Sequence, residues 1–294
     1  MAPETAQPGR YDSSATANAV RPQDARPRTP SGASLGCLLS AHWPLYAMEG
    51  VELGAFMLSA CVFDVLLFST DSAVAAWPAV LRRGLMGIAM GITAILIIRS
   101  PPGRRSGAQF NPAVTLTFFR LGKMGRGDTL FYVIAQFLGG AMGVGLAALL
   151  LGRRLAAPGI EYVITVPGQD GAWAAFAAEF FMSALLMGTV LFTGNSPRMA
   201  RWTSGLVGVL IACYVPIFGP ISGFSINPAR TTASALFAHR WEDVWIYYTA
   251  PVFGMLLAAE IFRHFAETHA APPGARHFLS HRHLEQRNDT TQSV

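Results

Sequence analysis

Six stretches of the chain are apolar for long enough to cross a bilayer, near residues 45–68, 80–99, 129–151, 171–193, 202–219 and 243–264. A helix rises 1.5 Å per residue, so roughly 20 such residues span about 30 Å of hydrocarbon. Two further apolar segments are too short to cross: Asn111 to Phe119, and Asn227 to Ala238. They fall at matching places, after the second and fifth spans. Short apolar segments so placed are the mark of half-helices that enter a membrane and stop at its midplane. The expected fold is an all-α membrane protein, with six transmembrane helices and two re-entrant half-helices in an inverted repeat. Repeat one covers about 41–151 and repeat two about 171–265, within one domain of 41–265. Three spans per half is an odd number, so the second half is inverted and the half-helices meet N-terminus to N-terminus.

Each half-helix opens on the same tripeptide, Asn111-Pro112-Ala113 and Asn227-Pro228-Ala229. Proline suits the first helical position, where its missing N–H would be unpaired anyway. The preceding Asn caps the helix and keeps amide N–H groups to donate. Ala lets the two starts approach closely. Both helix dipoles aim their positive ends at the meeting point. Such a site suits a neutral hydrogen-bond acceptor such as water or an alcohol, and repels cations. Gly107 and Gly223 would permit an irregular backbone before each Asn, with carbonyls exposed to a wet cavity.

Hydrophobic residues make up 52% of the 294 and charged residues 13%, far fewer charges than soluble domains carry. The net charge of +5 comes from Arg beside the apolar runs, without the aromatic-basic platform of a nucleic-acid binder. Residues 1–40 read as a disordered tail without a signal-peptide core, and 266–294 as a second polar tail. His277, His281 and His283 belong to that tail and read as solvated. Cys37, Cys61 and Cys213 have no metal spacing. No metal and no cofactor is expected. Arg99, Arg104, Arg105, Arg120, Lys123, Arg126, Arg198, Arg201 and Arg263 fall on one side of the expected topology. Arg82, Arg83, Arg153, Arg154 and Arg240 fall on the other. The bias puts both termini in the cytoplasm, in the cell membrane. A single Lys among 22 basic residues, with heavy use of Ala, points to a GC-rich bacterial source.

Ionisable groups within the membrane are functional candidates. Arg230 follows the second tripeptide and reads as a pore-lining donor near the outer mouth, where the first repeat has Val114. Glu49 or Glu52 in the first span and Glu179 in the fourth fall at matching places. They read as structural acceptors for the backbone N–H groups of the re-entrant loops. Asp64 and Glu260 have no counterparts.

The segments Ser106-Gly107-Ala108-Gln109-Phe110-Asn111-Pro112-Ala113-Val114 and Ser222-Gly223-Phe224-Ser225-Ile226-Asn227-Pro228-Ala229-Arg230 resemble the major intrinsic protein family, the aquaporins and glycerol facilitators. The resemblance covers about residues 40–265. It implies a right-handed bundle, one pore per subunit and a homotetramer. It also implies an outer constriction built on Arg230 with Phe224, Val215 and a second-span residue near Gly84 to Gly91. Gln109 departs from the family's usual His. Phe224 and the absence of His from the fifth span are similar to glycerol facilitators. Thr231 and the Tyr247-Tyr248 pair are similar to water channels. Ser100-Pro101-Pro102-Gly103-Arg104-Arg105 looks like an insertion.

The resulting expectation is a passive channel for water, with glycerol or other small neutral solutes as further permeants. A glycerol facilitator is the near alternative. An ion-coupled secondary transporter would need titratable groups along its path, where this chain offers Asn and Arg. No nucleophile–base pair or metal cluster suggesting an enzyme stands near the half-helices.

Overall fold

The computed structural model describes residues 34–268. Both tails, 1–33 and 269–294, with their expected disorder and with His277, His281 and His283, lie outside them. Among the described residues the regular structure is helical: α1 (Leu35–Phe68), α2 (Ala79–Arg99), α3 (Pro101–Ser106), α4 (Pro112–Arg120), α5 (Arg126–Leu151), α6 (Gly171–Gly194), α7 (Thr203–Ser222), α8 (Pro228–Ala238) and α9 (Val244–Thr268). Six of these are long and apolar enough to cross a membrane: α1, α2, α5, α6, α7 and α9. The chain is a multi-pass membrane protein.

Two boundaries differ from the sequence reading. α1 begins at Leu35, not near 45, so residues 35–40 are helix and not tail. The Ser34 hydroxyl caps this start by accepting from the Cys37 N–H. The early turns are held by contacts on α5, since both the His42 ring and the Tyr46 hydroxyl bond Asp128, at 2.8 and 2.7 Å. At the other end α9 runs to Thr268, past the expected boundary at 265. The apparent insertion is a further helix, α3. Ser100 caps it from the Gly103 N–H at 3.0 Å, and Pro101 takes its first position.

The inverted repeat is visible in the packing. α1 lies against α5 in the first half as α6 lies against α9 in the second, and α2 crosses to α7 between the halves. Without a hydrophobic drive between helices in lipid, close backbone approach supplies the attraction. Gly139 of α5 meets the Gly50 carbonyl of α1 so closely that any side chain would overlap it, and Gly91 of α2 meets Gly208 of α7 in the same way. Large apolar side chains such as Leu96, Met142 and Leu149 face outward. Trp77, Trp173, Trp241 and Trp245 mark one interfacial level and Trp202 the other, all substantially exposed.

Charge separates the two ends. Arg99, Arg104, Arg105, Arg120, Lys123, Arg126, Arg198, Arg201 and Arg263 belong to one end. At the opposite end two of the five arginines are paired with carboxylates, Arg154 with Asp71 at 2.6 Å and Arg240 with Glu161 at 2.6 Å. Burial is minor at these exposed sites, so the pairs neutralise charge more than they stabilise.

Candidate functional site: two half-helices meeting at the midplane

α4 and α8 begin alike. Asn111 Oδ1 accepts from the Ala113 N–H at 2.9 Å, and Asn227 Oδ1 accepts from Ala229 at 3.0 Å and Arg230 at 3.2 Å. Pro112 and Pro228 take the first helical positions, and Ala113 and Ala229 are fully buried. The amide nitrogens cross over. Asn111 Nδ2 donates to the Ile226 carbonyl at 2.7 Å, and Asn227 Nδ2 donates to the Phe110 carbonyl at 2.8 Å. This corrects the expectation that both amides are wholly free: one N–H of each ties the halves together. An amide carries two N–H groups, so the second remains a donor.

The loops before each Asn follow one strained path. Gly107 and Gly223 have φ of +99° and +73°, Ala108 and Phe224 +45° and +50°, Phe110 and Ile226 +29° and +49°. Side chains rarely adopt such angles, and their persistence requires support from the surroundings. Buried carboxylates supply it. Glu49 accepts from the Gln109 and Phe110 N–H groups at 2.9 and 2.7 Å, and Glu179 accepts from Ser225 and Ile226 at 2.9 and 2.5 Å. Of the two acids left open in the first span, it is Glu49 that holds the backbone.

Several partners were not singled out from sequence. The Tyr132 and Tyr247 hydroxyls donate to the Ser106 and Ser222 carbonyls at 2.8 and 2.7 Å. Gln136 Nε2 donates to Glu49 at 2.8 Å. The available signal was polarity: Tyr132 and Gln136 are buried polar side chains one helical turn apart in an apolar span. In sequence Tyr247 reads only as half of an aromatic pair.

Arg230 is buried, 7% exposed, and donates from a terminal nitrogen to the Val163 carbonyl at 2.8 Å. An arginine snorkelling to the interface would not be so enclosed. Glu179 and Asp64 lie within its electrostatic reach, which gives the unmatched Asp64 a neighbour. Thr231 bonds Thr165 at 2.8 Å and Ser225 at 2.6 Å, fastening the loop over the same end. Phe224 is buried beside Tyr214, ring centroids 6.0 Å apart, and the half-buried Val215 packs on the same core cluster. Of the second-span candidates, Gly87 and Gly91 are packed against the α7 backbone, while Met86 and Met90 are buried in the same core cluster as Phe224. Glu260 lies at the other end, paired with Arg120 at 2.8 Å and Arg263 at 3.0 Å.

A cavity of about 520 Å³ runs from the cation-rich end to the crossed amides. Both loops line it, with Gly107 to Asn111 on one side and Phe224 to Asn227 on the other. Neither Arg230 nor Val215 lines it. Among the described residues no group of three or more His, Cys, Asp or Glu is placed to hold a metal.

A family model described as major intrinsic protein matches residues 53–262. A probable aquaporin NIP-type of Nicotiana alata is 35% identical over 170 residues, 57% of this chain and 61% of that protein. Aquaporin TIP4-4 of Zea mays is 34% identical over 182 residues, 61% of this chain and 71% of that protein. The match spans 52–62% of the length of the first three NIP relatives. In fold, the chain is similar to the aquaglyceroporin from Plasmodium falciparum, with a TM-score of 0.65 at 18% identity over 79% of this chain and 98% of that one.

Proposed function

The chain belongs to the major intrinsic protein family, and from that premise we propose that it is a passive transmembrane channel for water and small neutral hydroxyl solutes. The observation that carries this reading is the crossed pair of Asn amides lining one cavity at the N-termini of two opposed half-helices. Each amide has one N–H left for a permeant. Two helix dipoles oppose a cation at that point without opposing a neutral molecule. The carbonyls of the strained loops supply acceptors, so a permeant exchanges water's hydrogen bonds for the protein's.

Arg230 completes the path toward the other end as a fixed cation and donor. Phe224 and Val215 set the width and polarity beside it, and Glu49 and Glu179 hold the loops in shape. The apolar character of Phe224 and Val215 favours glycerol as a second permeant beside water. The protein works without a cofactor or covalent step. By membership of the family it assembles as a homotetramer in the cell membrane. The cation-rich end, with both termini, is cytoplasmic.

Stopped-flow light scattering on proteoliposomes tests the reading: shrinkage reports water and re-swelling reports glycerol. Water permeability several-fold above protein-free vesicles, with re-swelling in glycerol, is expected. Permeability equal to that of lipid alone refutes the channel, and saturable proton-dependent flux would make it a transporter.

A further inference from the structure

Cations converge on one end of the cavity from four elements: Arg99 from α2, Arg104 from α3, Lys123 from the loop after α4, and Arg201 from the turn before α7. Among the described residues no carboxylate and no histidine lines it. Anchoring to lipid headgroups explains basic residues that flank a span. It does not explain why four of them, Lys123 half-buried and the three arginines exposed, converge on the mouth of one cavity. Arg105, Arg126 and Arg198 are available for anchoring at the same end without lining the cavity, and Arg120 and Arg263 share Glu260. Arg99 is already oriented, its Nε donating to the Ser204 hydroxyl at 2.8 Å. Burial pushes the Lys123 ammonium down to about 8, so its charge is most secure when an anion is nearby.

Deeper in the same cavity the chemistry changes sign. Gln109 lines the wall, is 4% exposed, and its side-chain oxygen has no hydrogen-bond partner. A buried acceptor left unmet is costly, and it calls for a donor. Asn111 and Asn227 stand beyond it. A ligand that satisfies both regions carries an anionic group at one end and hydroxyls at the other.

We propose that this cavity binds a small phosphate monoester of a polyol, with its phosphate toward Arg99, Arg104, Lys123 and Arg201 and its hydroxyls toward Gln109 and the crossed amides, and that the bound ester plugs the pore. A dianion with three terminal oxygens matches several cationic donors better than a single carboxylate does. A soluble ester is favoured over a lipid headgroup because the far wall is made of the two re-entrant loops, not of outward-facing apolar side chains. Binding stands on the cavity alone, whereas plugging rests on the channel reading.

The test is calorimetric titration of glycerol phosphate into the purified full chain in a neutral maltoside detergent, with glycerol, sodium chloride and anionic-lipid micelles as separate titrants. Saturable binding of the ester alone is expected, about ten-fold weaker in the Arg104→Gln, Lys123→Gln double variant. Binding should weaken again between pH 7 and pH 9. The ester's second ionisation lies near 6, so its charge is constant there while Lys123 loses its proton. Equal affinity in the double variant, no heat beyond that of chloride, or binding of the lipid in preference to the ester would overturn the site. In proteoliposomes the ester at the cation-rich end should lower water permeability several-fold. If the unmodified protein conducts no water, the channel reading fails while the titration still decides the site.

Discussion

In the second half the strained loop rests on one carboxylate, Glu179, which takes the Ser225 and Ile226 N–H groups and the Ser222 hydroxyl together. In the first half the same task is divided. Glu49 takes the two N–H groups and also lies within reach of the Ser106 hydroxyl, which bonds Glu52 at 2.8 Å, one turn farther along α1. Three residues beyond Glu179 stands Met182, which is fully buried and offers no acceptor. Gln136 and Thr115 add a further branch to the first network, 3.0 Å apart, where the second has Thr231 with Thr165 and Ser225. The shared contacts sit where the half-helices meet, and the unshared ones lie toward the two ends. Duplication therefore fixes the midplane, while divergence is spent where the ends must differ.

The largest expected effect breaks the shared part. Glu179→Leu leaves two backbone N–H groups and a hydroxyl buried without partners, at about 1–3 kcal/mol each. Loss of the folded, detergent-stable protein in thermal unfolding is expected, and Glu49→Leu should match it. A fold that survives both would mean that the loops do not depend on these acids. Next comes the difference between the two ends of the path. Arg230→Val gives the second half the residue that the first has at this place, Val114. Urea or glycerol re-swelling should then rise about ten-fold over water flux in proteoliposomes, and an unchanged ratio would remove Arg230 from the constriction. The smallest effect sharpens the contrast in carboxylates. Glu52→Met copies Met182 and leaves the Ser106 hydroxyl to Glu49 alone, as Ser222 is bonded to Glu179. A loss of under about 1 kcal/mol is expected from the melting temperature. A loss as large as that of Glu49→Leu would show that the first loop needs both acids.

The periodicity of the spans and the twin tripeptides carried most of the architecture, because lipid demands long apolar runs and closed backbone hydrogen bonding. What sequence hid was tertiary. His42, Trp43 and Pro44 look like the end of a span, yet α1 continues through them because Asp128 of α5 receives His42 and Tyr46. The two prolines and glycine of 101–103 look like an interruption, yet they start a helix. At the site, Asn111 and Asn227 were legible as caps, but their crossing depends on carbonyls in the opposite half, which no local pattern encodes. Glu49 and Glu52 were indistinguishable in sequence, since both lie one turn apart on one buried face.

That crossing has a consequence for ancestry. Asn111 donates one N–H to the Ile226 carbonyl, and Asn227 donates one to the Phe110 carbonyl. A solitary half would present an unmet amide and an unmet carbonyl at membrane depth, where water is scarce. A progenitor with a single repeat could have closed this gap only by docking with an upside-down sibling. Such a gene would have had to insert in both orientations before it was ever joined to its copy.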